Sequence, residues 1–439
     1  MSCSTPAPTD WAAFAAIDWG SRQHAWSLLP AQGGSVQSGV LRSTPEAVEL
    51  WAMDLYQRFS ACPIAVAVEQ KRGPLVYMLG KYDHLVLHPV PPTMSASYRR
   101  AFIPSGAKSD PGDAQLLLDL LLHHREHLRP LSAETKPTRL LQFLVESRRN
   151  FVQQKVDAVL RLTACVEQYF PQLRTWFGKL DTPLIADLLR RWPVLSQLQR
   201  CHPGTLRRFL VTHGSRKEEL IQQRIQLIYA AIPAVTDEVV IEACYRRAQA
   251  LTRVIGVLRE DIAALDKRID AVTAEHPDAP LFASFPGAGR ATVPRLIAAF
   301  GTRREAYASA GDLQSLSGIA PAKITSGNST ATRMRRACPK FLRQTFHEFA
   351  GQSIPHSPWA KLFYQVHLHG DKKHHHAAVR AVAFKWMRIL YHCWKNHEPY
   401  DERKFLDAQA RSPHSAGRQL STEYDPKTGF FRPKAGRPS

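Results

Sequence analysis

Four carboxylates in the first quarter of the chain have the residue types and settings that phosphodiester chemistry needs. Asp18 closes the apolar run "FAAID" and Glu69 closes "IAVAVE", so both are expected on the rim of a sheet, at strand ends. Asp110 and Asp113 lie in "SGAKSDPGDAQLLLDLLL" (105–122), three apart at the start of a leucine-rich helix. Positions three apart share a helix face, so the pair can address one target. Hard divalent cations take such all-oxygen surroundings, and a two-metal site activates an attacking oxygen while stabilising a leaving one. The same residues also have a plainer reading. Asp110 can N-cap, Pro111 suits the first helical position, and Asp113 completes a capping box. A strand-end acid is an ordinary solvated group, and the residues alone leave both readings open.

Three further stretches carry candidate chemistry. In "PGAGRATVPRLIAAFG" (286–301), Pro286, Gly287 and Gly289 predict a tight turn ahead of a helix. Its exposed N–H groups could hold a phosphate; an ordinary loop is the alternative. In the polar loop "ITSGNST" (324–330), the Ser326 hydroxyl could attack phosphorus, with Arg333, Arg335 and Arg336 close in sequence to offset phosphoryl charge. Serines in such loops also serve simply as turn formers. In "DKKHHHAAVRAVAFKWMRILYHCWK" (371–395), His374, His375 and His376 are consecutive and diverge on a helix, which makes a poor metal cage. With Lys372, Lys373 and Arg380 they read as a phosphate-contacting surface. Trp386 and Trp394 read as core.

The bulk composition narrows the partner. The chain has 439 residues, 44% of them hydrophobic, enough for two or three cored domains. Its 58 Lys+Arg against 38 Asp+Glu give a formal charge of +20, which points to a polyanion, nucleic acid first. No apolar run approaches the roughly 20 residues of a membrane span, and "MSCSTPAPTD" lacks a charged signal-peptide start. The seven cysteines are scattered without zinc-knuckle spacing, which predicts reduced cytoplasmic thiols and no structural metal.

The elements that must position these residues follow from periodicity. "FAAIDWG" (14–20), "AWSLLP" (25–30) and "GSVQSGVLR" predict three strands, and "STPEAVELWAMDLYQRF" a helix capped by Ser43 or Thr44. The strand "IAVAVEQ" (64–70), the short helix "PLVYMLGKY" and the strand "HLVLHPV" (84–90) complete a mixed sheet with helices packed on it. Val145, Val152, Val159 and Val166 recur every seven residues. Leu251, Ile255, Leu258, Ile262, Leu265, Ile269 and Val272 step by four and three, the seam of a coiled coil or helical hairpin. That seam fits intramolecular packing and self-association equally. The expected organisation is 1–135 as the carboxylate domain, 136–278 as a helical, coiled-coil region for oligomerisation, 279–400 as a mainly helical domain, and 401–439 as a basic flexible tail.

Taken in order, Asp18, Glu69, "KSDPGDA" (108–114), "PGAGRATVPRLIAAFG", "SGIAPAKITSG" and "FLRQTFHEFA" resemble the DEDD transposases of the insertion-sequence one-ten family. The resemblance runs from about residue 12 to 400. It implies an RNase H-like sheet similar to RuvC-type junction resolvases, in which Asp18, Glu69, Asp110 and Asp113 bind magnesium (Mg2+). It implies a C-terminal transposase domain whose Ser-Gly serine, here Ser326, attacks DNA and becomes covalently linked to it. It also implies DNA and a structured bridge RNA as partners, with Lys108, Gly287, Gly289, Arg333, Arg335, Arg336, Lys372, Lys373 and Arg380 as nucleic-acid contacts. A homo-oligomer, dimer to tetramer, would assemble a composite active site in a bacterial cytoplasm, at the nucleoid. The chain departs from the family at "RRACPKFLR", where Lys-x-Gly-Asn is usual, so the turn near Cys338 and Pro339 is expected to differ.

Two other functions fit the same residues. One is a metal-dependent nuclease or resolvase without serine chemistry; the other is an inert nucleic-acid-binding protein whose acids are caps. On the favoured reading, replacing Asp113 with Asn leaves stability nearly unchanged and abolishes metal-dependent strand exchange.

Overall fold

The structure is a computed structural model that describes residues 11–102, 110–326, 329–368, 371–411, 424–425 and 430–431. The chain divides into two compact units, Met1–Ala133 and Glu134–Ser439.

The first unit is built on a five-stranded sheet. Its strands are β1 (Ala13–Asp18), β2 (Gln23–Pro30), β3 (Gln37–Arg42), β4 (Ile64–Val68) and β5 (Leu85–Pro89), in the order β3-β2-β1-β4-β5. β1, β2 and β3 form an antiparallel meander, whereas β1, β4 and β5 run parallel. This mixed sheet is consistent with the RNase H-like expectation. Thr44 caps α1 (Pro45–Arg58), its Oγ1 accepting from the Ala47 N–H at 3.3 Å, and α2 (Pro74–Leu79) follows β4. Strand alternation sorts the side chains into two cores. Ala13, Ala15, Ile17, Val66 and Val68 bury against α1 and α2. Ala16, Ala65 and Ala67 bury against five leucines of α4 (Asp110–His124). Between β5 and the segment before α4 runs α3 (Pro92–Phe102), a helix that the periodicity did not predict; its Met94 and Tyr98 pack on that second core.

The second unit is helical. Two long helices, α5 (Lys136–Tyr169) and α11 (Glu238–Ala274), form an antiparallel hairpin. Between them in sequence run α6 (Gln172–Phe177), α7 (Pro183–Arg191), α8 (Leu195–Gln199), α9 (Pro203–Thr212) and α10 (Glu218–Ala230). These five enclose one end of the hairpin in a core with Leu162, Cys165, Val166 and Ile255. The other end enters a second core. There α12 (Ala279–Ala283), α13 (Val293–Phe300), α14 (Ala310–Leu316), α15 (Lys340–Ser353), α16 (Pro358–Leu368) and α17 (His375–Asn396) surround Trp359, Trp386 and Trp394. Each of those indole N–H groups is satisfied, by Tyr400 Oη, Ser353 Oγ and the Gly301 carbonyl respectively.

Three expectations change here. Leu141, Val145, Ile269 and Val272 share one core with the C-terminal helices, so residue 278 is no break in packing. The heptad run from Leu251 to Val272 is buried or half-buried within this chain, so that seam is already occupied. The start of the supposed flexible tail is α18 (Glu402–Arg411): Phe405 and Leu406 pack on the core, and Ser357 Oγ donates to Glu402 at 2.7 Å. Beyond it, only a pairing of β8 (Tyr424–Asp425) with β9 (Phe430–Phe431) lies inside the described residues.

Candidate active site and nucleic-acid interface

Asp18 and Glu69 are brought together by strand register. Ile17 pairs with Val68 across parallel β1 and β4, so the next residue on each strand is one of the two acids. By alternation both fall on the face that carries Ala16, Ala65 and Ala67, the face covered by α4. α4 begins at Asp110 and places Asp113 inside, 4% exposed, while Asp110 is exposed to solvent. The two aspartates therefore do not share one environment as their spacing suggested. Lys108 lies outside the described residues.

The neighbours of these acids come from α3. Ser95 Oγ donates to Glu69 Oε1 at 2.8 Å, and one turn on, Arg99 Nη2 meets Asp113 Oδ1 at 2.5 Å. Positions four apart share a helix face, so a single helix grips two of the four carboxylates. Arg99 Nε is buried without a hydrogen-bond partner among the described residues. With the guanidinium on Asp113, no group of three or more His, Cys, Asp or Glu side chains among the described residues is gathered closely enough to hold a metal ion. Sequence reading missed both α3 residues. The Arg99 pair also reverses the stability expected of Asp113→Asn, because neutralising a buried carboxylate paired with arginine leaves the guanidinium uncompensated.

Ser326 lies in a hairpin, not a loop. β6 (Ala322–Ser326) pairs antiparallel with β7 (Ser329–Arg333), and Ser326 opposite Ser329 is the last pair before the turn. Ser326 is exposed, and its carbonyl accepts from Ser329 Oγ at 3.2 Å. Arg333 pairs with Ala322 at the opposite end of the hairpin, and Arg335 and Arg336 follow it. Four residues of strand span about 13 Å, so none of the three arginines sits beside the serine within the hairpin. All three are exposed, and Arg343 Nη2 holds the backbone carbonyls of Arg335 and Arg336.

The glycine turn has a structural explanation. Gly287 has φ +78°, and a Cβ there would lie 2.6 Å from the Gln352 carbonyl oxygen, so α15 requires glycine at this point. The N–H groups of Gly289, Thr292 and Val293 donate to carbonyls of the same turn. The donors expected to hold a phosphate are thus largely used internally. At the start of α17, Lys373 pairs with Asp371 at 2.8 Å, and Tyr364 Oη is hydrogen-bonded to His375 Nδ1 at 2.8 Å. His347, beside His376, has a pKa lowered by burial. The side chain of Lys372 lies outside the described set, and Arg380 is half-buried.

Two family models match this chain. One, described as a transposase of the DEDD type, matches residues 15–171; the other, described as the transposase IS116/IS110/IS902 family, matches residues 279–365. The chain belongs to the IS110 family of transposases. The first match holds all four acids and the second holds Gly287, Gly289, Ser326, Arg333, Arg335 and Arg336. Among relatives of this IS110-family chain is the IS117 mini-circle protein of Streptomyces coelicolor, which bears a transposase name. It is 26% identical over 405 residues, spanning 89% of this chain and 96% of the relative. A 43.6 kDa protein of insertion element IS110, also from S. coelicolor, is 24% identical over 68% of this chain and 74% of its own length. A 42 kDa protein of IS900 from Mycobacterium paratuberculosis is 24% identical over 80% and 84% respectively. As a transposase the protein is an enzyme acting on DNA, and among the described residues no helix is long and apolar enough to cross a membrane.

Proposed function

We propose that this IS110-family transposase exchanges DNA strands through a covalent serine intermediate, with Asp18, Glu69, Asp110 and Asp113 holding magnesium and a structured bridge RNA choosing donor and target. The observation that carries the reading is that Asp18 and Glu69 end neighbouring parallel strands on the sheet face that α4, the helix carrying the buried Asp113, covers. The donor set suits the ion in type, being all carboxylate oxygen, and Arg99 would have to release Asp113 Oδ1 for that carboxylate to join it. Magnesium, when bound, supplies charge neutralisation to the phosphoryl oxygens.

The chain's own residues do the rest. The Ser326 oxygen forms a bond to phosphorus as the bond from phosphorus to a deoxyribose oxygen breaks. The serine proton passes to solvent and the departing oxygen takes up a proton. Attack by a hydroxyl of the exchanging strand then forms the new phosphodiester and returns the serine. Exposure at the end of a short hairpin suits Ser326 to reach a DNA backbone. The +20 charge supports binding of both nucleic acids. Self-association would use outward residues in place of the occupied seam: Val156 and Leu160 on α5, and Val254 and Val257 on α11, are 43%, 63%, 49% and 58% exposed.

The test is strand exchange on element-end DNA by the protein and its Ser326→Ala variant. Loss of exchange and of a denaturant-resistant protein–DNA adduct supports the serine route; metal-dependent cleavage that persists unchanged in the variant makes the protein a nuclease instead. Sequencing RNA that co-purifies from the host tests the guide, and finding none contradicts it.

A further inference from the structure

At the foot of the Ser326 hairpin is a cavity of about 450 Å3, within the roughly 300–1,000 Å3 of typical small-molecule sites. One wall is a single face of α17, where Ala377, Arg380, Ala381 and Phe384 stand at helical spacings of three, four and seven. The two alanines leave the space that a larger side chain would fill. Ile319, Met334, Phe363 and Phe384 give the cavity an apolar, partly aromatic lining. Arg333, Arg380 and His367 also border it, and none of the described residues that line it is acidic.

This pairing of surfaces selects a ligand. Inorganic phosphate would have no use for the aromatic floor, and a purely apolar group would leave the cations unmatched. A nucleotide unit satisfies both, its base against the rings and its phosphate against the arginines. The position agrees. Arg333 and Ala322 form the first pair of the hairpin and Ser326 lies four residues up the strand, about 13 Å away, a reach of a few nucleotides.

We propose that this cavity captures one unstacked base of the DNA strand, a few nucleotides from the phosphate that Ser326 attacks. The placement of the scissile phosphate rests on the serine reading; the capture of a base does not. Extruding a base costs a few kcal/mol, least where it is already unpaired, and stacking on the cavity's rings offsets that cost. The site thus favours a strand that is locally open.

Binding is measured with the full chain carrying Ser326→Ala, so that affinity is read without cutting. The probe is element-end duplex DNA in which each position in turn is made abasic. In this background one position is expected to lose affinity on base removal, roughly 5- to 150-fold, the equivalent of about 1–3 kcal/mol of stacking. Ala377→Trp then fills the cavity from an exposed position, so the fold is kept, as an unchanged melting temperature checks. In that variant the intact duplex binds more weakly by the same factor, and the abasic position no longer matters. A uniform abasic scan, or an Ala377→Trp variant that keeps full affinity and the same scan, overturns the proposal. The latter result is also the one expected if the cavity receives another part of the protein. Absence of a Ser326 adduct in the unmodified protein, with the scan still positive, contradicts the serine route and leaves base capture standing.

Discussion

Neutralising Asp113 is expected to destabilise the first unit in the absence of any metal. The Asp113 side chain is 6% exposed and meets that of Arg99, which is 22% exposed and whose Nε has no described partner. Breaking a fully buried pair costs about 3–5 kcal/mol, and the residual exposure of Arg99 lowers that to roughly 2 kcal/mol. For a unit of this size the loss lowers the melting temperature by roughly 6–10 °C. Asp113→Asn leaves a guanidinium unbalanced, and Arg99→Met leaves a carboxylate unbalanced. The double variant removes both charges and should recover much of the loss, giving a coupling energy of about 1 kcal/mol or more. Thermal unfolding of the four proteins in EDTA reads this directly, with hydrogen exchange of the α4 amides assigning the effect to the first unit. Melting of Asp113→Asn within about 1 °C of the parent, or losses that simply add in the double variant, would refute the buried-pair reasoning.

Gly287→Ala should destabilise the second unit by about 2 kcal/mol or more, because its Cβ meets the Gln352 backbone and its φ is positive. Equal stability with weakened DNA binding would restore the phosphate-contact reading of that turn. Burial lowers the pKa of His24, His84 and His88, so the folded state favours neutral rings while the unfolded chain protonates near pH 6.5. Stability is therefore full above that value and falls as the pH drops below it, by up to about 1.4 kcal/mol per pH unit for each ring. Urea unfolding between pH 7.5 and 5 checks the sign, and His88→Gln should make the fall shallower; stability that rises on acidification contradicts it. Leu160→Glu with Val257→Glu should shift the protein toward monomer in mass photometry without lowering its melting temperature. An unchanged mass distribution would remove the outward faces of α5 and α11 from the assembly.

Much of the first unit was legible because its signals are local. Asp18 and Glu69 end continuous apolar runs, and Thr44-Pro45 announces α1, so the strands, the first helix and the strand-end position of two acids could be read locally, whereas the strand order and the shared face of the acids come from the pairing register. α3 was not legible: its apolar side is only Met94, Tyr98 and Phe102, and the meaning of Ser95 and Arg99 depends on partners 26 residues back and 14 residues on. The Ser326 hairpin hid in a Ser, Thr and Asn composition that reads as loop, although a Gly-Asn step between Ile324-Thr325-Ser326 and Ser329-Thr330-Ala331 is a hairpin signal. Gly287 looked like a phosphate turn because the reason for it, the Gln352 backbone, is 65 residues away in sequence. The heptad seam was read correctly as periodicity. What periodicity lacks is the identity of the opposite surface, and here Ile269 and Val272 bury among the C-terminal helices.

The most direct test of the central claim is mass spectrometry of the protein trapped on element-end DNA under denaturing conditions. A deoxynucleotide bonded to the Ser326 peptide, present in the parent protein and absent from Ser326→Ala, is the predicted result. Strand exchange with no nucleotide-bearing peptide, or a nucleotide bonded to a different residue, would contradict the account.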